Sequence, residues 1–235
     1  MQRILSQLRR ACDQYNLIEE GDKIAVGVSG GKDSLVLLQA LKMFSRFSPK
    51  KFDLVGVSID MFGGKSDFSK IANWCKENEI EYHVINSDIY QIVFEERKEK
   101  SPCSLCSKLR RGILASEIKK LGCNKLALGH TLNDVIDTFF LSLLYEGRLS
   151  TIKPKAFMSR TEVTVIRPLI LIDEKEIACQ AKHLPVMKSM CPVDKHTQRE
   201  FVRNMVENVN KQVPDSKKRI FSAIISPERY NLFDK

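Results

Sequence analysis

Nowhere in this 235-residue chain does an apolar run approach the roughly 20 residues that cross a bilayer. The opening stretch, MQRILSQLRRACDQYNL, is an amphipathic helical pattern with charges throughout, which is not the plan of a secretory signal. Internal repeats and low-complexity segments are absent. So are both common glycine signatures for nucleotides, G-x-x-x-x-G-K-S/T and G-x-G-x-x-G. The seven cysteines are an odd number without an export signal, which argues against a disulfide framework and for a reducing cytoplasm without membrane partners. What remains is 43% hydrophobic and 29% charged residues, the balance of a globular protein of one α/β domain, or one with a small appendage.

Positive charge is in excess, but only in one half. Residues 1–100 carry 15 basic and 15 acidic groups, whereas residues 101–235 carry 23 basic and 14 acidic. Scattered solvated lysines would give such an excess. Lys108, Arg110, Arg111, Arg148, Lys153, Lys155 and Arg160, grouped near the chemistry described below, point instead to a polyanionic partner.

The stretch that organises the chain is KIAVGVSGGKDSLVLL, residues 23–38. An apolar run from Ile24 to Val28 reads as a buried strand, and Leu35, Leu38, Leu41 and Met43 as the apolar face of a helix. Between them stand Ser29, Gly30, Gly31, Lys32, Asp33 and Ser34. A strand, a glycine turn and a helix N-terminus present backbone N–H groups and a positive dipole end to an anion, and the glycines let the backbone come close. An ordinary glycine turn is the plain alternative.

Along the chain, residues 1–20 read as a leading helix with Ile4, Leu5, Leu8, Ala11 and Cys12 on one face, and strands are expected at 52–59, 81–85, 125–128 and 163–166. Ser66 is placed as the N-cap of a helix over 67–78. Helices are expected at 33–44, 107–121 and 132–144, and Asp173-x-x-Glu176 has the capping-box spacing for another over 175–183. Residues 88–100 read as a short helix and a solvated connection. Residues 146–162 read as a mobile basic segment, and the C-terminal part as helices broken at Pro214 and Pro227. Strands alternating with helices predict a doubly wound parallel sheet with flanking helices, organised as 1–20, 21–185 and 186–235. Ligands bind such sheets at the carboxyl ends of the strands, where Ser29, Asp60 and His130 fall.

Several residues carry alternative readings. Lys32 reaches a phosphate or points to solvent; Asp33 holds a magnesium ion or caps a helix; Asp60 lies where adenosine would sit. His130 and Asp134, four apart at a strand end, suit adenylate contact or acid–base work, or are a helix-capping pair. Cys103 and Cys106 form C-x-x-C in a loop entering a helix, and Cys191 stands alone. Three readings stay open: a redox dithiol, a zinc site completed by His196, or an iron–sulfur cluster. Cys12, Cys75, Cys123 and Cys179 sit at helical apolar positions as small hydrophobes. Arg110, four residues past Cys106, shares its helix face and suits a phosphate.

SGGKDS at 29–34 resembles the pyrophosphate loop of the PP-loop ATP pyrophosphatases. With PCSLCSKLRRGIL (102–114), LALGHTLNDVIDTFFLSLLYEG (126–147), VIRPL (165–169), Cys191 and NLFD (231–234), the chain resembles the bacterial tRNA 2-thiocytidine synthetases of the TtcA type. The resemblance runs from about residue 20 to the C-terminus and implies a PP-loop, Rossmann-like fold that binds ATP. It implies a 4Fe-4S cluster on Cys103, Cys106 and Cys191 with one iron free of protein ligands, and a C-terminal extension that completes that site. Where the family commonly has a second C-x-x-C, this chain reads Cys191-Pro-Val-Asp194, and the family's LGHHRDD keeps only His130 and Asp134 at the polar positions. The implied reaction is ATP-dependent replacement of a cytidine C2 oxygen by sulfur, at position 32 of the tRNA anticodon loop. The implied partners are tRNA and a sulfur donor such as a cysteine desulfurase, with a homodimer as the implied assembly. The same chemistry on another base or a small molecule, and a non-catalytic ATP and iron–sulfur sensor, are the rival readings.

Overall fold

A computed structural model of the chain describes residues 1–97, 102–188 and 198–231, and of Cys103 and Ser104 the backbone alone. Its centre is a six-stranded sheet: β1 (Asp22–Gly27), β2 (Phe52–Asp60), β3 (Glu81–Asn86), β4 (Lys125–Ala127), β5 (Lys155–Met158) and β6 (Val163–Ile166), in the order β3-β2-β1-β4-β6-β5. Five strands are parallel, and β5 joins β6 antiparallel at the edge, with Lys155 opposite Ile166 and Met158 opposite Val163. The doubly wound parallel sheet expected from the sequence is therefore present, with one added strand. Residues 155–158 correct the reading of 146–162 as a patternless segment: the edge strand Lys-Ala-Phe-Met alternates too briefly to register against its basic surroundings.

Both faces of the sheet are covered, and the strands show it residue by residue. Ile24 and Val26 of β1 lie in one apolar cluster, while Ala25 between them lies in another with Val55, Val57, Leu126 and Val165. The helix α2 (Lys32–Ser45) fills the first side. Leu35, Val36, Leu37, Leu38, Ala40, Leu41 and Phe44 are all buried, because α1 (Gln2–Gln14) and α6 (Glu174–Gln180) pack on the face of α2 turned from the sheet. That explains why α2 is apolar nearly all round and why the narrower face read from the sequence understates it; Met43 is only half-buried. On the second side, Ile118 of α4 (Pro102–Lys120) meets Val55 and Leu126.

The remaining helices are α3 (Ser69–Glu77), α5 (Leu132–Glu146), α7 (Gln198–Gln212) and α8 (Ser216–Ile224), with a short π-helical turn at Gln91–Glu96. Three local expectations are corrected. Ser66 does not cap α3; its hydroxyl and N–H turn back to Asp60, and Asp67 accepts the Ser69 N–H at 2.9 Å. Asp173 does cap α6, accepting from Lys175 N–H, but Glu176 faces Arg3 and Gln7 of α1 instead of closing a box. Helix α4 begins five residues earlier than expected, since Pro102, which lacks an N–H to lose, suits a first helical turn. Among the described residues no helix is long and apolar enough to cross a membrane.

Candidate active site

The sheet's strand order reverses between β1 and β4, and in open α/β sheets ligands bind at such a reversal, outside the carboxyl ends of the strands. Residues 28–34 leave β1 and enter α2 on one wall. Gly30, at φ +80°, is in the left-handed region, and its carbonyl accepts the Met187 N–H at 2.9 Å; a Cβ there would lie 3.0 Å from the Met187 sulfur. The loop is tied within itself. Ser29 N–H donates to Ser34 Oγ at 3.1 Å, Ser34 Oγ donates to the Gly31 carbonyl at 2.9 Å, and Gly31 N–H donates to Ser29 Oγ at 3.3 Å. Gly31 stands at the N-cap in an extended conformation and offers no side chain, so the first-turn N–H groups of α2 are uncapped.

The second wall is residues 128–131, after β4. Gly129 is pressed onto the first wall: a Cβ would lie 2.9 Å from the Asp33 carbonyl carbon and 3.0 Å from Ser34 N. Only glycine lets these two backbones meet, a role for the glycine of LGH that the sequence alone did not disclose. Next to it, His130 Nδ1 accepts from Arg167 Nε at 3.1 Å, and Arg167 also donates to the Lys153 carbonyl at 2.7 Å. Burial, with the charges of Arg167, Arg199 and Arg111 outweighing that of Asp134, pushes the imidazole down to about 4, so it is neutral at physiological pH. Burial and Arg111 likewise lower Arg167.

Lys32 does not point to open solvent. Its Nζ donates to Glu174 of α6 at 2.6 Å and to Asp33 at 3.1 Å; burial lowers its pKa, but these two carboxylates outweigh that and raise it. Asp33 keeps its other oxygen, Oδ1, buried without a partner among the described residues, and burial raises its pKa despite Lys32. An orphaned carboxylate oxygen beside uncapped N–H groups fits a hard divalent cation shared with phosphate.

Two acidic residues of α5, Asp134 and Asp137, are held from α7. Asp134 accepts from Thr131 N–H at 2.8 Å in a capping box and meets Arg199 at 3.2 Å; Asp137 accepts from Arg203 at 3.1 and 3.2 Å. Asp134 is thus a cap, and it is Arg167, not Asp134, that bonds His130. Asp60 is occupied as well. Burial pushes its carboxyl up, but bonds from the Ser66 hydroxyl and the N–H groups of Phe62, Ser66 and Gly64 hold it below the usual range, fixing the loop after β2.

Cys103 and Cys106 lie three residues apart in the first turns of α4, which corrects the reading of C-x-x-C as a loop. Cys106 is buried in a small apolar cluster with Ile59, Leu109 and Ile113, its Sγ 3.7 Å from the Met61 sulfur beside the end of β2. Arg110 and Arg111 are both exposed, and the charge of Arg111 is felt at His130 and Arg167. Cys191, Asp194 and His196 lie outside the described residues. Met187, four positions before Cys191, is anchored to Gly30, and α7 resumes seven positions after it. The structure thus brings Ser29–Ser34 together with Glu174, and His130 with Arg167, at the carboxyl ends of β1, β4 and β6, within the field of Arg111. Sequence reasoning gave no role to Arg167, Glu174 or Gly129, and named Arg111 only as part of a basic group; VIRPL at a strand end was the signal for the first.

The PP-loop domain family matches residues 2–210. The tRNA-cytidine(32) 2-sulfurtransferase of Geobacter sulfurreducens is 38% identical to this chain over 239 residues, covering 99% of it and 92% of that protein. The tRNA-cytidine(32) 2-sulfurtransferase 1 of Francisella tularensis strain SCHU S4 is 36% identical over 236 residues, covering 99% and 88%. Among solved structures, the U34-tRNA thiolase NcsA of Methanococcus maripaludis with its 4Fe-4S cluster superposes with a TM-score of 0.77 at 26% identity, covering all of this chain and 80% of that one. The NH3-dependent NAD synthetase of Campylobacter jejuni, at 14% identity and a TM-score of 0.52, shares the fold.

Proposed function

The chain belongs to the PP-loop domain family, and from that premise we propose that it is an ATP-dependent tRNA-cytidine 2-sulfurtransferase that replaces the C2 oxygen of a cytidine with sulfur. The observation that carries this reading is the meeting of residues 28–34 and 128–131 at the carboxyl ends of β1 and β4. The uncapped helix N-terminus, orphaned Asp33 oxygen and arginine-flanked imidazole there form an anion site of nucleotide character, built into a chain 38% identical to a tRNA-cytidine(32) 2-sulfurtransferase.

The C2 oxygen of cytidine is a poor leaving group. Transfer of AMP from ATP to that oxygen, with release of pyrophosphate, makes it a good one. In this chain the α2 N–H groups and Lys32 receive the phosphates, with Lys32 exchanging Glu174 for a phosphate oxygen. Asp33 Oδ1 is the place for Mg²⁺ between protein and phosphate. Arg111, Arg167 and Arg199 supply the positive field for the adenylated base.

Cys103, Cys106 and Cys191 would hold a 4Fe-4S cluster, and the donor set fits: soft thiolates, two of them one helical turn apart, one buried among apolar side chains that exclude water. That cluster, when bound, supplies an iron position able to carry the sulfur. The substrate is a loop base that can be splayed from its stack, reached across the basic second half of the chain. A sulfur donor such as a cysteine desulfurase, a homodimeric assembly and a cytoplasmic setting complete this reading. The test is pyrophosphate release by the anaerobically purified protein. Release that requires unmodified tRNA supports the proposal. Release that proceeds equally without tRNA would make the chain a small-molecule enzyme, and no release would make it a sensor.

A further inference from the structure

His130 has one nitrogen engaged and one without a partner among the described residues, and the engaged one decides what the other does. A guanidinium donates and never accepts, so the 3.1 Å contact from Arg167 Nε requires a lone pair on Nδ1. In a neutral ring the proton then sits on Nε2. Arg167 is itself fixed: it follows the last residue of β6, its N–H donates to the Pro154 carbonyl at 2.9 Å, and its Nη1 to the Lys153 carbonyl at 2.7 Å. Gly129, the preceding residue, lies against the backbone of Asp33 and Ser34, so the imidazole stands beside the phosphate-receiving loop.

From this geometry we infer that Arg167 is a positioning residue that fixes His130 as the neutral, Nε2-protonated imidazole, making it a hydrogen-bond donor to a phosphoryl oxygen of the adenylated substrate and not a base. The inference rests on the sulfurtransferase reading for the identity of that oxygen, and on the Arg167–His130 contact for everything else. With Nδ1 occupied and Nε2 protonated, the ring has no site at which to take a proton. The charged groups whose fields reach it are Arg167 from the end of β6, which touches it, Arg111 from α4, Arg199 from α7 and Asp134 from α5. Three are cations, and the one carboxylate is engaged by Thr131 and Arg199. Their sum opposes a second ring proton. A fixed neutral donor suits an oxygen that gains charge as the phosphoryl group is transferred, where removing such a donor lowers turnover by about 10²–10³-fold.

Two substitution series separate donor from base and positioning from packing. His130→Gln keeps an N–H donor but cannot act as a base at neutral pH; it should retain turnover within about tenfold, while His130→Ala falls by about 10²-fold or more. For Arg167, the readout is nitrogen NMR of the imidazole, practicable with four histidines in the chain. The native protein should show His130 protonated on Nε2 alone and uncharged at pH 6. Arg167→Gln, which retains a donor but no charge, should keep that tautomer and titrate at least one pH unit higher. Arg167→Met should give both tautomers, with kcat reduced and the KM for ATP little changed. If Arg167→Met does not fold, Arg167→Lys should leave the ring neutral. A charged ring or an Nδ1–H tautomer in the native protein would overturn the inference, as would His130→Gln as inactive as His130→Ala. The NMR arms need neither tRNA nor turnover, so a failure of the substrate reading leaves them standing, and their failure leaves that reading intact.

Discussion

The two ends of the same pair of strands, β1 and β4, both bury charge, and they do so in opposite ways. At the amino end Asp22 and Lys125 open the two strands, each 3% exposed, 2.7 Å apart. Both groups have further partners there: Lys125 also donates to the Leu17 carbonyl, and Asp22 accepts from Asn124 and from the Glu19 N–H. At the carboxyl end, among the described residues, Asp33 keeps an oxygen without a partner, His130 keeps a ring nitrogen unpaired, and α2 begins without a side-chain cap. Buried charge alone therefore does not mark a site in this fold. At the carboxyl end the unused capacity of Asp33 lies beside a helix N-terminus, where a ligand can recover the folding free energy that an orphaned group costs.

The largest effect expected from that contrast is at the open end. Asp33→Ala should abolish ATP-dependent turnover, by about 10³-fold or more if the carboxylate holds the metal, while thermal unfolding shows no loss of stability, since an unsatisfied buried oxygen is removed. A less stable protein that still turned over would place Asp33 with the structural pair. At the closed end the pattern should invert. Lys125→Met leaves Asp22 buried without its partner and should cost about 3–5 kcal/mol in denaturant unfolding, with the ATP dissociation constant unchanged.

The third effect tests the open end through pH. His130 has a folded pKa depressed to about 4 against an unfolded value near 6.5, so the unfolded chain takes up a proton that the folded chain refuses. Its contribution to stability is present above pH 6.5 and lost as pH falls toward 4, amounting to about 3 kcal/mol across that window. His130→Gln should flatten that part of the stability curve, and an unchanged slope would show the imidazole to be freely solvated. The smallest effect belongs to the surface. Lys155, half-buried and paired at 2.9 Å with an exposed Glu19, should cost less than about 1 kcal/mol as Lys155→Ala.

Much of this was legible in the chain itself. The strand runs, the glycine turn after β1 and the placement of LGH at a strand end follow from local periodicity, and each survives in the structure. What was not legible is long-range. Arg167 reaches His130 from 37 positions away, and Glu174 reaches Lys32 from 142, so no spacing rule connects them. Gly129 carries no local sign that Asp33 will press on it. Ser66 illustrates the converse: its position suited a helix cap, but a buried aspartate six residues earlier claimed its hydroxyl. Pro102 misled in the same way, since a proline before C-x-x-C reads as a loop until the helix is seen to start with it.

The central claim is that the open end of the sheet serves sulfur insertion into tRNA cytidine. Its most direct test is mass spectrometry of nucleosides from the tRNA of a strain lacking this chain, complemented with the native protein or with Asp33→Ala. 2-Thiocytidine should be absent from the deletion strain, restored by the native chain and not restored by Asp33→Ala. Loss of a thiouridine with 2-thiocytidine intact, or restoration by Asp33→Ala, would contradict it.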